Sequence, residues 1–502
     1  MSKSDSLHTL ILSLSKGEKS YFKKHLTGTG DKNDKIYIQL FDAIATQKEY
    51  NEVAFKKKYA GKTFIKQFAY SKNYLFNLIV KSLKLHHLEE DVDSVIFNLI
   101  SESNLLLKKA LYKEASKRLL KALKLAEKYE KFSLSMKIYL LMHRYIIMRS
   151  AFVEDGKPQW ICEQLKKVTA QVNELTDYRK LSYESWSIYY SEQSFNQKEQ
   201  QIKAIINSPL LSDETKQLSL RAKIIYHNIR GLIYQWFYKD KQKTYIENKK
   251  NIQLMDAHPD FANQEKMLHL SALNNFLLES ETSKNEAEFE KYINILSGLS
   301  VKYTNEKISI FEKEVMLRLG YYVKTLRIKE GLAYLKEKET GIENQEELMN
   351  TDFLLSIYDS ISIIYFCAGQ YAKSVYYIHK TIYNKESQRW DIKCFAHLLY
   401  LFIQFEKGDI DHLEYQLKFA EKFIQQHKGL KEYERYVISF FKNYLQFNDK
   451  KHTQGLLKKL ITELEKELAE NHSTQMMYDY FNVIEWAKAK LNNTTYLQQM
   501  QV

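Results

Sequence analysis

The stretch YDSISIIYFCAGQYAKSVYYIHKT, residues 358–381, carries the pattern from which the fold follows. A turn-like pair, Gly369–Gln370, interrupts its apolar residues once, so the stretch predicts two helices joined by a tight turn. Similar positions recur from about residue 95 onward at intervals of about 40–46 residues, which indicates an internal repeat. They lie near Ala110–Tyr112, Glu154–Gly156, Asn196–Gln197, Asp240–Lys241, Ser283–Asn285, Ile328–Glu330, Gly369–Gln370, Gly408–Asp409 and Asn448–Asp449.

A second series of turn-like positions falls between the members of the first. Two offset series mean helix, tight turn, helix and looser turn, which is an antiparallel helical hairpin repeated about nine times. One hairpin cannot bury its apolar side alone, so we expect the hairpins to stack into a solenoid. The looser turns are expected near Lys131, Thr176, Ser208–Ser212, His258–Asp260, Ser300, Gly341–Gln345, Asn384–Ser387, Lys428–Gly429 and Asn471–Ser473.

The composition also favours helix. The 502 residues include 14 glycines and three prolines, Pro158, Pro209 and Pro259. Average usage predicts about 25 prolines, and proline breaks helix interiors and marks loops and strand edges. With 44% hydrophobic and 27% charged residues, the chain has the composition of a folded protein.

Two regions are expected. Residues 1–90 predict a small, basic, all-helical domain of four or five short helices, and residues 91–502 predict the solenoid. A terminal helix with Phe481, Ile484 and Trp486 is expected to end it. The predicted fold class is therefore all-α, with a small helical N-terminal domain followed by a right-handed superhelical solenoid.

Positive charge is concentrated near the N-terminus. Residues 1–88 hold 16 lysines, no arginine and seven acidic residues, a balance of +9 out of +13 for the whole chain. Lysines around one predicted turn are candidates for holding nucleic-acid phosphates, although the absence of arginine disfavours base-specific reading. A solvated lysine surface is the alternative interpretation. The candidate residues are Lys56, Lys57, Lys58, Lys62 and Lys66.

A second set of lysines lies on the predicted helix at 110–130. They fall within about 80° of arc on that helix, with small and apolar residues opposite. The set is a candidate docking strip for an acidic partner, a nucleic-acid backbone or an anionic membrane surface, or else an ordinary solvated face. The lysines are Lys113, Lys117, Lys121, Lys124 and Lys128, and the opposite residues are Ala115, Leu119, Ala122, Leu123 and Ala126.

Motifs for catalysis or cofactor binding are not recognisable. AGKT at residues 60–63 ends like a phosphate-binding loop, but Lys56 stands where the pattern needs a glycine. DKNDK at residues 31–35 lacks the remaining ligands of a calcium loop. We therefore expect no cofactor, no metal site and no enzymatic activity.

Residues 51–70 also fit a DNA-reading helix-turn-helix poorly. Lys57 occupies a position that needs a small residue, and the second helix should present polar residues outward. Its sequence instead predicts a helix that is packed on nearly every side. The apolar and aromatic residues that predict this are Phe64, Phe68, Tyr70, Tyr74 and Phe76.

The remaining features point to a cytoplasmic protein without a membrane span. Cys162, Cys367 and Cys394 are solitary and odd in number, as expected for free thiols in a reducing compartment. The N-terminus does not have the pattern of a signal peptide. No uninterrupted apolar run approaches the ~18 residues of a membrane-spanning helix.

Residues 358–381 resemble one repeat of the tetratricopeptide (TPR) family. The matching positions are Tyr358, Ile361, Ser362 and Tyr365 on the first helix, Gly369 and Tyr371 at the turn, and Ser374, Ile378 and Thr381 on the second helix. A second copy around residues 99–122 has Ser103, Tyr112, Ala115, Leu119 and Ala122. The repeats are longer than the family's 34 residues and lack its closing proline. The N-terminal run SLSKGEKSYFKKHL resembles the opening of uncharacterised bacterial helical-repeat proteins.

The TPR resemblance implies a non-catalytic scaffold or adaptor that binds a peptide or partner helix in the solenoid groove. The family's carboxylate clamp for chaperone tails is not recognisable, because the corresponding positions carry Asp359 and Ile363. Two alternatives stay open. One is a nucleic-acid-associated regulator that uses the lysine-rich N-terminal domain, and the other is an enzyme whose site has no local motif.

Overall fold

A computed structural model of the chain shows an all-α protein. It describes residues 6–29, 34–47, 50–88, 91–149, 158–191, 195–280, 285–427, 432–446, 450–470 and 481–500. Within these ranges the chain forms 25 α-helices and no strand, so the predicted all-α fold class is confirmed. The DKNDK stretch and the predicted turns near residues 154–156, 283–285, 428–429, 448–449 and 471–473 lie wholly or partly outside these ranges.

The helices are numbered in chain order. They are α1 (Ser6–Ser13), α2 (Lys16–Thr29), α3 (Asp34–Ala45), α4 (Glu52–Lys58), α5 (Phe68–His86), α6 (Val92–Lys108), α7 (Tyr112–Lys128), α8 (Phe132–Arg149), α9 (Pro158–Tyr190), α10 (Phe195–Ile206), α11 (Leu220–Ile233), α12 (Lys241–Ala257), α13 (Pro259–Gln264), α14 (Lys266–Leu278), α15 (Glu286–Ser297), α16 (Thr304–Lys324), α17 (Ile328–Gln345), α18 (Thr351–Cys367), α19 (Tyr371–Ile382), α20 (Trp390–Lys407), α21 (Ile410–His427), α22 (Glu432–Gln446), α23 (Lys450–Glu470), α24 (Val483–Leu491) and α25 (Tyr496–Met500). Short 3₁₀ turns span Thr63–Ile65, Pro209–Leu211 and Glu346–Leu348, and a π-helical turn spans Tyr234–Tyr238.

The chain divides into two compact units. Unit 1 comprises Met1–Tyr178 and Gln217–Ala222, and unit 2 comprises Arg179–Lys216 and Lys223–Val502. Within unit 1, α1, α2, α3 and α5 pack on one another around a core of their own. The predicted boundary at residue 90 stays a prediction. The buried residues of this core are Leu7, Ile11, Leu14, Phe22, Leu26, Leu40, Phe41, Ala43, Ile44, Phe55, Phe64, Phe68, Leu75 and Ile79.

Unit 2 contains a run of hairpins stacked in sequence order. In each hairpin from α14–α15 to α20–α21, the first helix packs against its own second helix and against the first helix of the next hairpin, and α22 packs against its second helix α23. Each second helix also packs against the first helix that follows it. This order of contacts is that of a helical solenoid, in which every repeat contacts only its neighbours. We call α14, α16, α18, α20 and α22 the first-helix row.

The predicted turn near Thr176 is wrong, because α9 runs without interruption from Pro158 to Tyr190. The Thr176 hydroxyl donates to the Val172 carbonyl at 2.9 Å and so stays within the helix. The predicted turn at Asn196–Gln197 is also misplaced, because both residues lie within α10. Neither segment contains an internal glycine or proline that could end a helix.

Several turns share one backbone geometry, which is the Schellman C-cap. A residue with positive φ follows the helix, and the next N–H donates to the carbonyl five residues earlier. Such N–H donations run from Leu111 to Leu106, Lys131 to Ala126, Arg327 to Tyr322, Gln370 to Tyr365, Asp409 to Gln404 and Thr494 to Ala489. The predicted tight turns at Gly369 and Gly408 are of this kind, with φ of 69° and 68°.

Substitutions at these turns are expected to change stability in opposite directions. Ala110 has φ of 60° and Gly369 has φ of 69°. Ala110→Gly relieves left-handed strain and should raise the free energy of unfolding by about 0.5–1 kcal/mol, whereas Gly369→Ala should lower it by about as much. Gly320→Ala is the control, since Gly320 lies inside α16 with open space at its Cβ position, and it should stabilise. Urea unfolding followed by circular dichroism measures all three, and a stabilising Gly369→Ala would contradict the assignment.

The two hairpins that resemble TPR repeats hold their helices together with a buried serine. In α6–α7 the Ser103 hydroxyl donates to the Ala115 carbonyl at 2.8 Å. In α18–α19 the Ser374 hydroxyl donates to the Ser362 carbonyl at 2.7 Å. Ser103 and Ser374 are both 0% exposed. Small side chains at these positions therefore let the paired backbones approach within reach of one hydroxyl.

Candidate functional site

The N-terminal lysine cluster, Lys56, Lys57, Lys58, Lys62 and Lys66, lies around the end of α4 and the turn that follows it. All five side chains are exposed. Lys56 forms a 2.7 Å ion pair with Glu52, which a second lysine, Lys72, also approaches at 2.7 Å. Hydrogen bonds from Lys56, which has the larger effect, and from Lys72 lower the pKa of Glu52 to about 2. The carboxylate of Glu52 therefore neutralises part of the positive charge of Lys56 within the protein.

The lysine stripe on α7, Lys113, Lys117, Lys121, Lys124 and Lys128, is exposed along its whole length. The residues predicted to face inward are the buried residues of the helix, namely Ala115, Leu119, Ala122, Leu123 and Ala126. Lys117 pairs with Glu114 at 2.7 Å, with both side chains more than half exposed. Exposed pairs of this kind contribute little to stability. The structure therefore places the stripe on the surface, and its binding role stays a prediction.

Helix α5 differs from its prediction. It packs on α1, α2 and α3 from one side, with Phe68, Leu75 and Ile79 among its buried residues. Tyr70 and Tyr74 point away from this core and are 60% and 39% exposed. The expectation of a helix packed on nearly every side is therefore wrong, because aromatic content alone does not determine how many neighbours a helix has.

The C-terminal segment, residues 481–496, lies on the first-helix row. The Phe481 ring centroid is 5.2 Å from that of Phe366 on α18 and 5.2 Å from that of Phe402 on α20. Trp486 lies 4.6 Å from Phe402 and 5.9 Å from Phe440 on α22, again between ring centroids. Both Phe481 and Trp486 are 0% exposed. The segment thus contacts three successive first helices through aromatic side chains.

One carboxylate orients this segment. The Trp486 Nε1–H donates to Glu406 Oε1 at 2.8 Å, and Lys490 Nζ donates to Glu406 Oε2 at 2.6 Å. Trp486 and Lys490 are one helical turn apart on α24, so a single glutamate of α20 contacts both. Asn482 caps α24 by accepting from the Glu485 N–H at 3.2 Å. Glu406 thus contacts an aromatic residue and a lysine that stand at positions i and i+4 of one amphipathic helix.

A groove between the starts of α16 and α18 lies earlier on the same row. Its volume is about 670 Å³, and it opens to solvent. On its wall Glu312, which is 3% exposed, accepts from the Asn350 N–H at 2.8 Å and lies 3.4 Å from Lys313 Nζ. Lys313 Nζ stands 4.3 Å from the Phe353 ring centroid. The lining residues are Thr304, Asn305, Ile308, Ser309, Glu312, Lys313, Leu348, Met349, Asn350 and Phe353.

A buried polar network joins α11 and α12. Glu247 is 5% exposed, with Oε2 2.7 Å from His227 Nδ1 and Oε1 accepting from Arg230 Nε at 2.8 Å. Burial raises the pKa of Glu247, but the hydrogen bonds from His227 and Arg230 outweigh it, so the net shift is downward. Arg230 Nη2 also donates to the Tyr234 hydroxyl at 2.9 Å. The network has the geometry of a structural ion cluster, because each partner is satisfied by another side chain.

The described residues do not assemble a recognisable catalytic or metal-binding constellation. No group of three or more histidine, cysteine or acidic side chains among them is placed to hold a metal ion. Burial raises the pKa of the Cys367 thiol to about 12, which disfavours the nucleophilic thiolate. Burial also raises the pKa of Asp359 to about 7, with the Arg389 guanidinium opposing the shift. The expectation that the protein is not an enzyme stays a prediction.

The helices of the described ranges include none that is both long and apolar enough to cross a membrane. Comparison with known protein families, characterised proteins and solved structures finds no significant match. The class that the structure defines is an all-α protein with sequentially stacked hairpins in unit 2. The TPR resemblance and the cytoplasmic location stay predictions.

Sequence reasoning missed the placement of the C-terminal segment and the exposure of the α5 tyrosines. The expected terminal helix exists, but Phe481 precedes it and reaches back to α18. Trp486 and Lys490 stand at i and i+4, which is also the spacing of an ordinary amphipathic helix. The i, i+4 spacing was the only feature of the sequence that could have indicated this contact, and it does not identify the helix that carries Glu406.

Proposed function

We propose that the protein is a non-catalytic interaction scaffold that holds a helical segment of a partner protein on the first-helix row of unit 2. The observation that carries this proposal is that the row already holds α24 through Trp486 and Glu406. A face that accepts an amphipathic helix from its own chain has the side-chain chemistry to accept one from a partner.

The groove between α16 and α18 is the proposed partner site. It combines apolar wall residues, such as the 63% exposed Leu348, with the fixed charges of Glu312 and Lys313. This mixture suits a helix that buries one apolar stripe and places polar groups at its margin. Small residues such as Ser309 leave room for a side chain of the partner.

Site-specific photo-crosslinking tests this function in the native host. A benzophenone amino acid replaces Ser309 in the groove and, as the matched control, the exposed Lys336 on α17. We expect a discrete crosslinked protein from position 309 and none from position 336. Leu348→Arg, which changes an exposed groove residue, should reduce the crosslink at least fivefold without changing the circular dichroism spectrum.

Equal crosslinking from positions 309 and 336, or none from either in correctly folded protein, would count against a groove-bound partner. Analysis of the crosslinked peptide gives the second readout. An amphipathic helix of the partner supports the proposal, and an extended or nucleic-acid-linked fragment opposes it.

A further inference from the structure

The outer side of α5 combines aromatic, amide and basic side chains. Opposite its buried residues, this side presents six exposed side chains within about 100° of arc on the helix. We call these residues the α5 face. They are Tyr70, Asn73, Tyr74, Asn77, Lys81 and Lys84.

The two tyrosines of the α5 face are already arranged as a stacking surface. Their ring centroids are 6.1 Å apart and the ring planes differ by 20°. The Tyr74 ring also contacts Tyr37 of α3, with centroids 4.6 Å apart, which supports it from the side. At 60% and 39% exposure, Tyr70 and Tyr74 keep much of their surface in solvent. Two neighbouring, outward-facing rings are therefore available to another flat group.

The stretch of chain that carries the α5 face is rich in lysine, and an acidic residue just outside it, Glu52, lies 2.7 Å from Lys72. Residues 53–88 contain eight lysines and no acidic residue. Lys81 and Lys84 lie at one end of the face, and the exposed Lys62 and Lys66 precede the helix at the other. The tyrosines thus lie between two pairs of cations. An anionic polymer that carries flat groups could place those groups on the tyrosines and its negative charges on the lysines at both ends.

We propose that the α5 face binds single-stranded nucleic acid. Bases stack on Tyr70 and Tyr74, while the lysines at both ends contact phosphates, which is the usual combination of forces in single-strand binding. A duplex does not offer its base faces for stacking, so single strands are favoured. Since the segment lacks arginine, the binding tolerates different sequences. The proposal concerns unit 1 and does not depend on the scaffold function proposed for unit 2.

Fluorescence anisotropy of the full-length protein tests this proposal with labelled 20-nucleotide oligo(dT), the same length of oligo(U), and a 20-base-pair DNA duplex. We expect both single strands to bind and the duplex to bind at least tenfold more weakly. If four phosphates are contacted, raising salt from 50 to 200 mM should weaken single-strand binding about 50-fold. A difference between oligo(dT) and oligo(U) distinguishes DNA from RNA as the preferred strand.

Substitutions separate stacking from charge. Tyr70→Ala with Tyr74→Ala should weaken oligo(dT) binding at least 25-fold, since each stacked base contributes about fivefold or more. Tyr70→Phe keeps a ring and should bind like the wild type. Lys81→Gln with Lys84→Gln should reduce the slope of log K against log salt by about 1.4. Tyr383→Ala, at a 72% exposed tyrosine of unit 2, is the matched control and should have no effect.

Three results would overturn the proposal. The first is no single-strand binding at 50 mM salt by protein with a wild-type circular dichroism spectrum. The second is binding that the double tyrosine variant retains within twofold. The third is displacement of oligo(dT) by polyglutamate at equal charge concentration, which would assign the surface to an acidic protein partner.

Discussion

Trp486→Ala is expected to lower the free energy of unfolding by about 3–5 kcal/mol, because it removes a fully buried indole and leaves a cavity between helices. The indole is 0% exposed and packs between Phe402 of α20 and Phe440 of α22. It also donates to Glu406 at 2.8 Å. Urea unfolding of the full-length protein, followed by circular dichroism, measures the loss.

Trp486→Phe is the matched control, since it keeps an aromatic ring and removes the N–H donor. Its expected cost is smaller, about 1–2 kcal/mol. Hydrogen exchange adds a local readout. Trp486→Ala should expose the amides of α24 first, because this helix loses its aromatic anchor. A loss below about 1 kcal/mol for Trp486→Ala would mean that the segment contributes little where it lies.

This outcome also bears on the proposed scaffold. A C-terminal segment that opens easily in the wild type would uncover Phe366, Phe402 and Phe440 for a partner helix. A segment that stays protected to the limit of global unfolding would confine partner binding to the groove between α16 and α18. Hydrogen exchange in the wild-type protein therefore decides how much of the first-helix row a partner can reach.

Glu247→Ala is expected to lower the free energy of unfolding by about 3–5 kcal/mol at pH 7, because it leaves the Arg230 guanidinium without its buried partner. Arg230 donates to Glu247 at 2.8 Å, and the Arg230 side chain is 23% exposed. Glu247→Gln keeps the shape of the side chain and should cost less, about 1–3 kcal/mol. Urea unfolding measures both variants.

The lowered pKa of Glu247 predicts how the effect of the Glu247→Gln substitution on stability depends on pH. The pKa of Glu247 lies below its ordinary value of 4.5, since hydrogen bonds from His227 and Arg230 outweigh the effect of burial. Its charged form therefore contributes stability that is complete above about pH 4.5 and is lost as the pH falls through the folded-state pKa. The difference between wild type and Glu247→Gln should accordingly shrink as the pH is lowered from 7 towards 3.

The control for Glu247 is an exposed glutamate. Glu337 has a side chain that is 71% exposed and pairs with Lys338 at 3.2 Å. Glu337→Gln should change the free energy of unfolding by less than about 0.5 kcal/mol at every pH tested. An equal effect of the two substitutions, or a pH-independent effect of Glu247→Gln, would contradict the role assigned to the buried network.

Much of the local structure was predictable because it depends on short-range periodicity. The buried residues of α7 are the five that the spacing predicted. The turns at Gly369 and Gly408 have the positive φ that glycine adopts without strain. The three prolines, whose scarcity indicated helix, stand at helix starts, where proline needs no N–H partner. The break expected at Thr176 was wrong because that hydroxyl is satisfied within the helix.

The candidate sites were less predictable, since they depend on neighbours distant in sequence. The lysines of α7 were found because they share one helix. Glu406 and Trp486 are 80 positions apart, and Phe366 and Phe481 are 115 positions apart, counted along the sequence. No spacing rule within either segment connects them. Their pairing follows from which first helices the returning chain reaches.

By itself, the sequence determined the helical class, the tight turns at Gly369 and Gly408 and the surface position of the lysines. These properties follow from backbone conformation and from the amphipathic pattern of single helices. Only the tertiary structure decided that Trp486 is buried, that Glu247 has a low pKa and that Tyr70 and Tyr74 are exposed. The burial and the pKa of a side chain depend on all the groups around it. Packing between segments distant in sequence brings those groups together.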